Sequence, residues 1–240
     1  YEHAIVDSFA KLVNKGFIYR GLKPVNWCFR CETALAEAEV EYEDHESDSV
    51  FVKFELKAGD KTRSIGIPAD KKAFIMIWTT TPWTLLANVA VAVHPDLEYI
   101  GILNNGNLMI LGKDLYFSSL KEKFGYTEEK MIFTVKGRDL EGLEYRHPFG
   151  IREGKVVLAD YVSKEDGTGC VHTAPGHGQE DFMTGLKYKL DIIMPVNERG
   201  RFDGSVGEFA GRHVFDANEA IIQKLKDLGA LEASGKVSHT

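Results

Sequence analysis

Apolar residues recur along this chain at two different periods. Near the N-terminus, Ile5, Val6, Phe9, Leu12 and Val13 fall on one face of a 3.6-residue helix. Gly16 stands where such a helix stops, so the spacing predicts a helix over 3–15. From Ser49 onward the pattern turns mostly β. Strands are predicted over 50–56, 73–78, 89–93, 98–103, 108–112, 131–136 and 155–159, separated by polar or glycine-containing turns such as Asn104-Asn105-Gly106-Asn107. Helical segments interrupt them near 113–123, 179–190 and 217–228. Many strands in succession with few helices predict an α+β domain on a curved, barrel-like sheet.

Between the first helix and the strands lies a turn-rich stretch, Lys23-Pro24-Val25-Asn26-Trp27-Cys28-Phe29-Arg30-Cys31, built around a Cys-x-x-Cys knuckle. The acidic run 37–48 reads as a linker. Two units follow from this: residues 1–46, holding the helix, the knuckle and the linker, and residues 47–240, the main domain with its C-terminal helix. No repeat or low-complexity tract is present. At 240 residues the chain can bury one sizeable core plus an appendage.

The net charge is −7, with no dense basic stripe. A protein that grips nucleic acid through its phosphates is normally basic, so a nucleic-acid substrate would be touched only at its end. The most apolar stretch, 73–93, contains four threonines, Pro82 and Asn88, which makes it a poor membrane span. The start Tyr1-Glu2-His3 carries no signal peptide and no initiator Met, and reads as the beginning of a fragment. Three cysteines, Cys28, Cys31 and Cys170, fit a reducing, cytoplasmic compartment without a disulfide framework.

Two segments carry chemistry. In Trp78-Thr79-Thr80-Thr81-Pro82-Trp83-Thr84-Leu85-Leu86-Ala87-Asn88, an apolar strand runs into three threonines and a proline. Proline favours the first helical position and the Thr before it caps, so the threonines fall where a strand ends and a short helix starts. Free backbone N–H groups and three hydroxyls there can hold a carbonyl, a ribose hydroxyl or a phosphate. For any single Thr, β-preference and capping are sufficient explanation. In Asp166-Gly167-Thr168-Gly169-Cys170-Val171-His172-Thr173-Ala174-Pro175-Gly176-His177-Gly178-Gln179-Glu180-Asp181-Phe182, a glycine-rich turn leads through a short strand and a Pro-Gly-His-Gly loop into a helix. Gly176 and Gly178 would permit unusual backbone angles and close approach of a ligand. Asp181 falls near the first helical turn, where the helix dipole alone favours a carboxylate. His172 could equally be a hydrogen-bonded core residue. Their convergence on one loop is what favours binding.

No Gly-x-Ser-x-Gly elbow, P-loop or His-Glu-x-x-His is present. Cys170 sits as a strand residue with no activating charge, which argues against a nucleophilic role. The segments therefore read as a pocket that positions a substrate and a water, with no covalent intermediate.

Both segments resemble signatures of the editing domain shared by the class I aminoacyl-tRNA synthetases for isoleucine, valine and leucine. The stretch around His172 and Ala174-Pro175-Gly176-His177-Gly178 resembles the isoleucine branch. The runs Lys23–Cys28 and Thr33-Ala34-Leu35-Ala36-Glu37-Ala38-Glu39-Val40-Glu41-Tyr42 resemble the start of the same insertion. Leu86 departs from the proline of many relatives. The resemblance implies hydrolysis of valine wrongly attached to tRNA(Ile), with valyl-adenylate as a second substrate, and implies partners in the 3′ end of the aminoacyl-tRNA, its valine moiety and the rest of the synthetase. It implies that Thr79, Thr80 and Thr81 contact the aminoacyl ester or terminal ribose, and that Trp83 and Asn88 shape the wall and the adenosine side. It further implies that His172 sets the size limit beside Gly176 and His177, that Asp181 pairs with the α-ammonium, and that no cofactor is needed for hydrolysis. Neither His-x-Gly-His nor Lys-Met-Ser-Lys-Ser is present, so no aminoacylation is expected.

Cys28 and Cys31 have the spacing of half a zinc site, and structural zinc wants four ligands. His3, His45 and His239 have no supporting spacing. In the resembling family a second Cys pair can follow the editing domain, so zinc is expected only if residues beyond this chain complete the site. Two other readings stay open: editing by a valine or leucine relative or a free-standing deacylase, and a zinc-ribbon module that only binds tRNA or protein.

Overall fold

The computed structural model describes residues 1–125 and 130–239. Its strands are β1 (Trp27–Cys28), β2 (Thr33–Ala34), β3 (His45–Leu56), β4 (Ala73–Thr79), β5 (Ala90–Val93), β6 (Glu98–Asn104), β7 (Asn107–Gly112), β8 (Met131–Lys136), β9 (Glu144–Arg146), β10 (Glu153–Leu158), β11 (Cys170–Thr173) and β12 (Leu231–His239). β1 and β2 form a separate antiparallel hairpin. Among the described residues the others make one sheet in the order β11-β5-β10-β9-β3-β4-β7-β6-β8, with β12 added onto β3. The pairs β5–β10 and β4–β7 are parallel and the rest are antiparallel. β3 is the joint of the sheet: it pairs β4 along one edge, and first β12, then β9, along the other.

Strand alternation explains how both faces are buried. Val50, Val52 and Phe54 of β3, Ile75 and Ile77 of β4, and Leu108 and Ile110 of β7 enter one core. There they meet Val214, Ala217, Ile221 and Leu225, spaced at three and four residues along the helix Val214–Asp227. The intervening Phe51, Met76, Met109 and Leu111 enter a second core under Leu115, Tyr116 and Leu120. The expected helix near 113–123 is there, broken into Lys113–Leu115, a π-turn at Tyr116–Leu120, and Lys121–Phe124.

The α+β class holds, and the described residues form a sheet that does not close into a barrel. Each end of the sheet has a single partner, β5 for β11 and β6 for β8, and no ladder joins them among the described residues. The side chains of β8 lie largely in solvent, as on an outer edge. The acidic run expected as a linker is also corrected. From His45 onward it is already β3, held by β12 from the far end of the chain.

The helix Glu2–Asn14 forms as its spacing predicts and ends at Gly16, whose φ of 75° supplies the left-handed turn. None of its residues is buried.

Candidate active site

The threonine-rich segment begins where β4 runs out. Thr79 is buried and its Oγ1 accepts the N–H of Thr81 at 3.0 Å, so this hydroxyl shapes the turn. Thr80 and Thr81 are half-buried. Pro82 opens a 3₁₀ turn, Pro82–Ala87, and Thr81 occupies the cap position without a capping side-chain bond. Thr84 turns back on Thr81: its N–H donates to the Thr81 carbonyl at 3.1 Å and its Oγ1 donates to the same oxygen at 2.8 Å.

The chain then enters β5, and β5 brings the second segment across. Val91 stands opposite His172 of β11, and Val89 N–H donates to Thr173 O at 3.0 Å. This register sets the His172 ring against the 3₁₀ turn, where Nε2 lies 2.9 Å from Thr84 Oγ1. Burial pulls the pKa of His172 from 6.5 to about 4, so the ring is neutral at ordinary pH. Its Nδ1 is buried with no partner.

Beyond β11, Pro175–Gly178 loops into the helix Gln179–Tyr188. His177 meets Trp83 edge to face, with ring centroids 5.0 Å apart at 88°. Burial, and secondly the charge of a protonated His172, lower His177 to about 4. Asp181 lies in the first turn of the helix. Its Oδ2 accepts Ala174 N–H at 2.8 Å and its Oδ1 lies 3.4 Å from the Tyr161 hydroxyl. Burial raises the Asp181 carboxyl, against the lowering effect of these two bonds.

Three expectations need correction. Gly176 and Gly178 have no left-handed backbone. A Cβ on Gly176 would come within 2.5 Å of the Ile193 carbonyl, and one on Gly178 within 3.1 Å of the Asp181 carboxylate. The close approach these glycines permit is therefore to the protein's own atoms. Asn88 does not face a ligand either. It is completely buried, its Nδ2 donates to Ala90 O at 2.8 Å and its Oδ1 accepts the Tyr145 hydroxyl at 2.6 Å.

No local motif marks the residues that lock the 3₁₀ turn from behind. His147 Nε2 donates to Leu85 O at 2.8 Å while its Nδ1 accepts Phe149 N–H. Burial takes His147 down to about 3. Arg152 Nη1 donates to Leu86 O at 2.8 Å and Asn88 O at 3.0 Å. Only strand pairing brings these side chains near residues 85–88, so no local spacing could have revealed them. Cys170 is buried in β11 and its thiol is pushed up by burial, the opposite of an activated nucleophile.

Trp83, Gly176 and His177 line a cleft of about 540 Å³ whose remaining wall includes Pro175, Phe182, Met194, Phe215 and the segment from Leu22 to Phe29. Thr79, Thr80, Thr81, His172 and Asp181 do not line it. The β1–β2 hairpin docks beside this cleft through Trp27 Nε1, which donates to Glu198 O at 2.7 Å. Cys28 and Cys31 lie in this hairpin, and Cys28 Sγ accepts Cys31 N–H at 3.4 Å. That bond, with a further backbone N–H from Arg30, lowers the Cys28 thiol. Among the described residues no group of three or more His, Cys, Asp or Glu side chains could hold a metal ion, so the two sulfurs do not amount to a zinc site by themselves.

Comparison with known proteins adds family and fold. A family model described as tRNA synthetases class I (I, L, M and V) matches residues 1–224. The isoleucine–tRNA ligase of Petrotoga mobilis is 48% identical over 240 residues, which is all of this chain and 25% of that protein. The chain thus spans about a quarter of the length of such relatives. Two solved structures share the fold. GlLeuRS-CP1 superposes with a TM-score of 0.64 at 15% identity, covering 78% of this chain and 98% of that one. The P. falciparum cytosolic leucyl-tRNA synthetase editing domain gives 0.62 at 11% identity, covering 78% and 99%.

Proposed function

Since the chain belongs to the class I tRNA synthetases for I, L, M and V, we propose that it is the proofreading unit of an isoleucine-specific synthetase and hydrolyses valyl-tRNA(Ile). The carrying observation is the 2.9 Å contact of Thr84 with His172, which joins two segments 88 residues apart into one site. Support comes from relatives that are isoleucine–tRNA ligases and from a shared fold with a leucyl-tRNA synthetase editing domain.

Water adds to the ester carbonyl carbon, the bond from that carbon to the ribose oxygen breaks, and valine and tRNA with a free terminal hydroxyl leave. Thr80 and Thr81 hold the ester or ribose by their hydroxyls, and the vicinal ribose hydroxyl assists. Asp181 receives the α-ammonium with the oxygen lone pairs that Ala174 and Tyr161 leave over. A neutral His172 limits the side chain that fits. A second, excluding pocket is needed because one methylene is worth only about 1–3 kcal/mol in a binding site, a general magnitude for which isoleucine-specific synthetases are themselves the standard example. Valyl-adenylate is the second substrate on this reading. The tRNA is held by its 3′ end, with the rest of the synthetase as anchor, because the net charge of −7 offers phosphates little.

The working compartment is the cytoplasm. All three cysteines are free, as a reducing environment would keep them, and among the described residues no helix is long and apolar enough to cross a membrane. The test is deacylation of valyl- and isoleucyl-tRNA(Ile) by the chain. Valyl ester is expected to be cleaved and isoleucyl ester spared. Binding without cleavage would leave a tRNA-binding module, and isoleucine-dependent ATP–pyrophosphate exchange would contradict the reading.

A further inference from the structure

Tyr161 belongs to neither segment that carries the site, yet its hydroxyl reaches the Asp181 carboxylate. It follows β10, and its half-buried ring packs on the small core of Ala90, Ala92, Val157, Ala159 and Val162. Its Oη lies 3.4 Å from Asp181 Oδ1. Oδ2 of the same carboxylate accepts Ala174 N–H at 2.8 Å. Each oxygen thus has its own donor, and the donors come from different parts of the chain. One bond alone would let the carboxylate turn about it. A bond to each oxygen fixes its plane, and with it the direction of the lone pairs left over.

The tyrosine is itself held. Thr184 lies three residues after Asp181, on the same face of the helix Gln179–Tyr188. Its hydroxyl stands beside the Tyr161 oxygen, as does that of Thr173 in β11. Both threonines are buried, and Thr173 Oγ1 makes no hydrogen bond elsewhere. With hydroxyl donors at its lone pairs, the phenol directs its one proton at Asp181. Burial, and secondly the Asp181 charge, push the Tyr161 hydroxyl up to about 12, so it keeps that proton at neutral pH.

We propose that Tyr161 is a positioning residue for hydrolysis: its hydroxyl fixes the plane of the carboxylate that receives the substrate's α-ammonium. The consequence for substrate rests on the proofreading reading above, whereas the hold on the carboxylate does not.

The experiment uses the chain with ¹³C-labelled aspartate carboxyls, the Asp181 signal being identified by its loss in Asp181→Asn. Tyr161→Phe keeps the ring and removes only the hydroxyl. A donor to the ionised form lowers a carboxyl's pKa, so its loss should move the Asp181 titration up by about half to one pH unit, the worth of one hydrogen bond. Glu180 on the same helix, His177 on the loop and His172 on β11 are common to both proteins and cannot account for the difference. In steady-state deacylation of valyl-tRNA(Ile), Tyr161→Phe should raise KM about threefold to tenfold with kcat nearly unchanged, because the α-ammonium is held alike before and during ester cleavage. An Asp181 titration that stays in place or moves down in a folded Tyr161→Phe refutes the proposal. A raised titration with unchanged KM refutes the role toward substrate. If wild type cleaves neither ester but the titration moves up in Tyr161→Phe, the proofreading reading fails while Tyr161 still holds the carboxylate.

Discussion

The Asp181 carboxylate accepts the backbone N–H of Ala174 at 2.8 Å across the loop that carries His177, so one side chain both anchors that loop and supplies its negative charge. The two roles separate by mutation. Asp181→Asn keeps an acceptor oxygen for Ala174 and removes the charge, whereas Asp181→Ala removes both. Losing one partner of a desolvated charge pair costs about 2–5 kcal/mol. Both variants should therefore cleave valyl-tRNA(Ile) at least about thirtyfold more slowly, with Asp181→Asn melting close to wild type. Wild-type cleavage by Asp181→Asn would reduce the carboxylate to a loop anchor.

His172→Ala is expected to open the site to isoleucyl-tRNA(Ile). Rejection by overlap is a repulsive device, so removing the ring relaxes specificity instead of only lowering the rate. A merely structural histidine would instead leave a cavity and lower stability and both activities together. A catalytic base would slow both substrates in a folded protein. The ratio of isoleucyl to valyl deacylation, with circular dichroism for folding, distinguishes the three. An unchanged ratio in a folded variant excludes His172 as the sieve.

Asn88 makes the opposite forecast from a substrate contact. Asn88→Ala strands the Tyr145 hydroxyl and the Ala90 carbonyl in the core, which should cost about 2–4 kcal/mol. A urea titration reads this directly. An unchanged midpoint with lost activity would return Asn88 to the binding surface.

The site histidines make stability depend on pH. Burial holds His172 and His177 near 4 and His147 near 3, against an ordinary 6.5. Between pH 6.5 and about 4 the unfolded chain binds protons that the folded chain refuses. Stability is thus full above about 6.5 and falls as the pH drops through 4, by on the order of a few kcal/mol for His147 and His172, both buried. Asp181, whose carboxyl is raised, opposes this in part. The urea midpoint should be lower at pH 5 than at pH 7.5. Equal midpoints would mean that these rings are more open to water than their packing indicates.

Hydrolysis is expected to persist in EDTA, because the two site segments contain no plausible three-ligand set for a metal. Activity lost to the chelator and restored by zinc would bring Cys28 and Cys31, or ligands outside the described residues, into the chemistry.

What could be read from the chain was what short-range pattern determines. Alternating β-branched and aliphatic residues marked β3, β4, β6 and β7, and the strand-to-proline junction at Thr79–Pro82 came out as expected. The strand β12 was missed because only Leu231 and Ala233 pack against the cores, while Ser234, Gly235 and Lys236 after them are exposed and show no alternation. Asn88 was misread for a related reason. Its polarity and its place in a motif suggested a ligand, and only the partner from β9, Tyr145, shows that its bonds are internal. The contact of Thr84 with His172 depends on the register of β5 with β11, which no local spacing encodes.

The pairing of β12 with β3 brings His45 opposite His239. Everything from β3 to β12 therefore leaves and returns at nearly the same point, about 5 Å apart across one strand spacing. A unit with its two ends side by side can sit in a loop of another fold without prying that loop open. In a longer polypeptide, such a unit would leave and rejoin the neighbouring fold at one place, and the Thr84–His172 contact would lie inside the loop so formed.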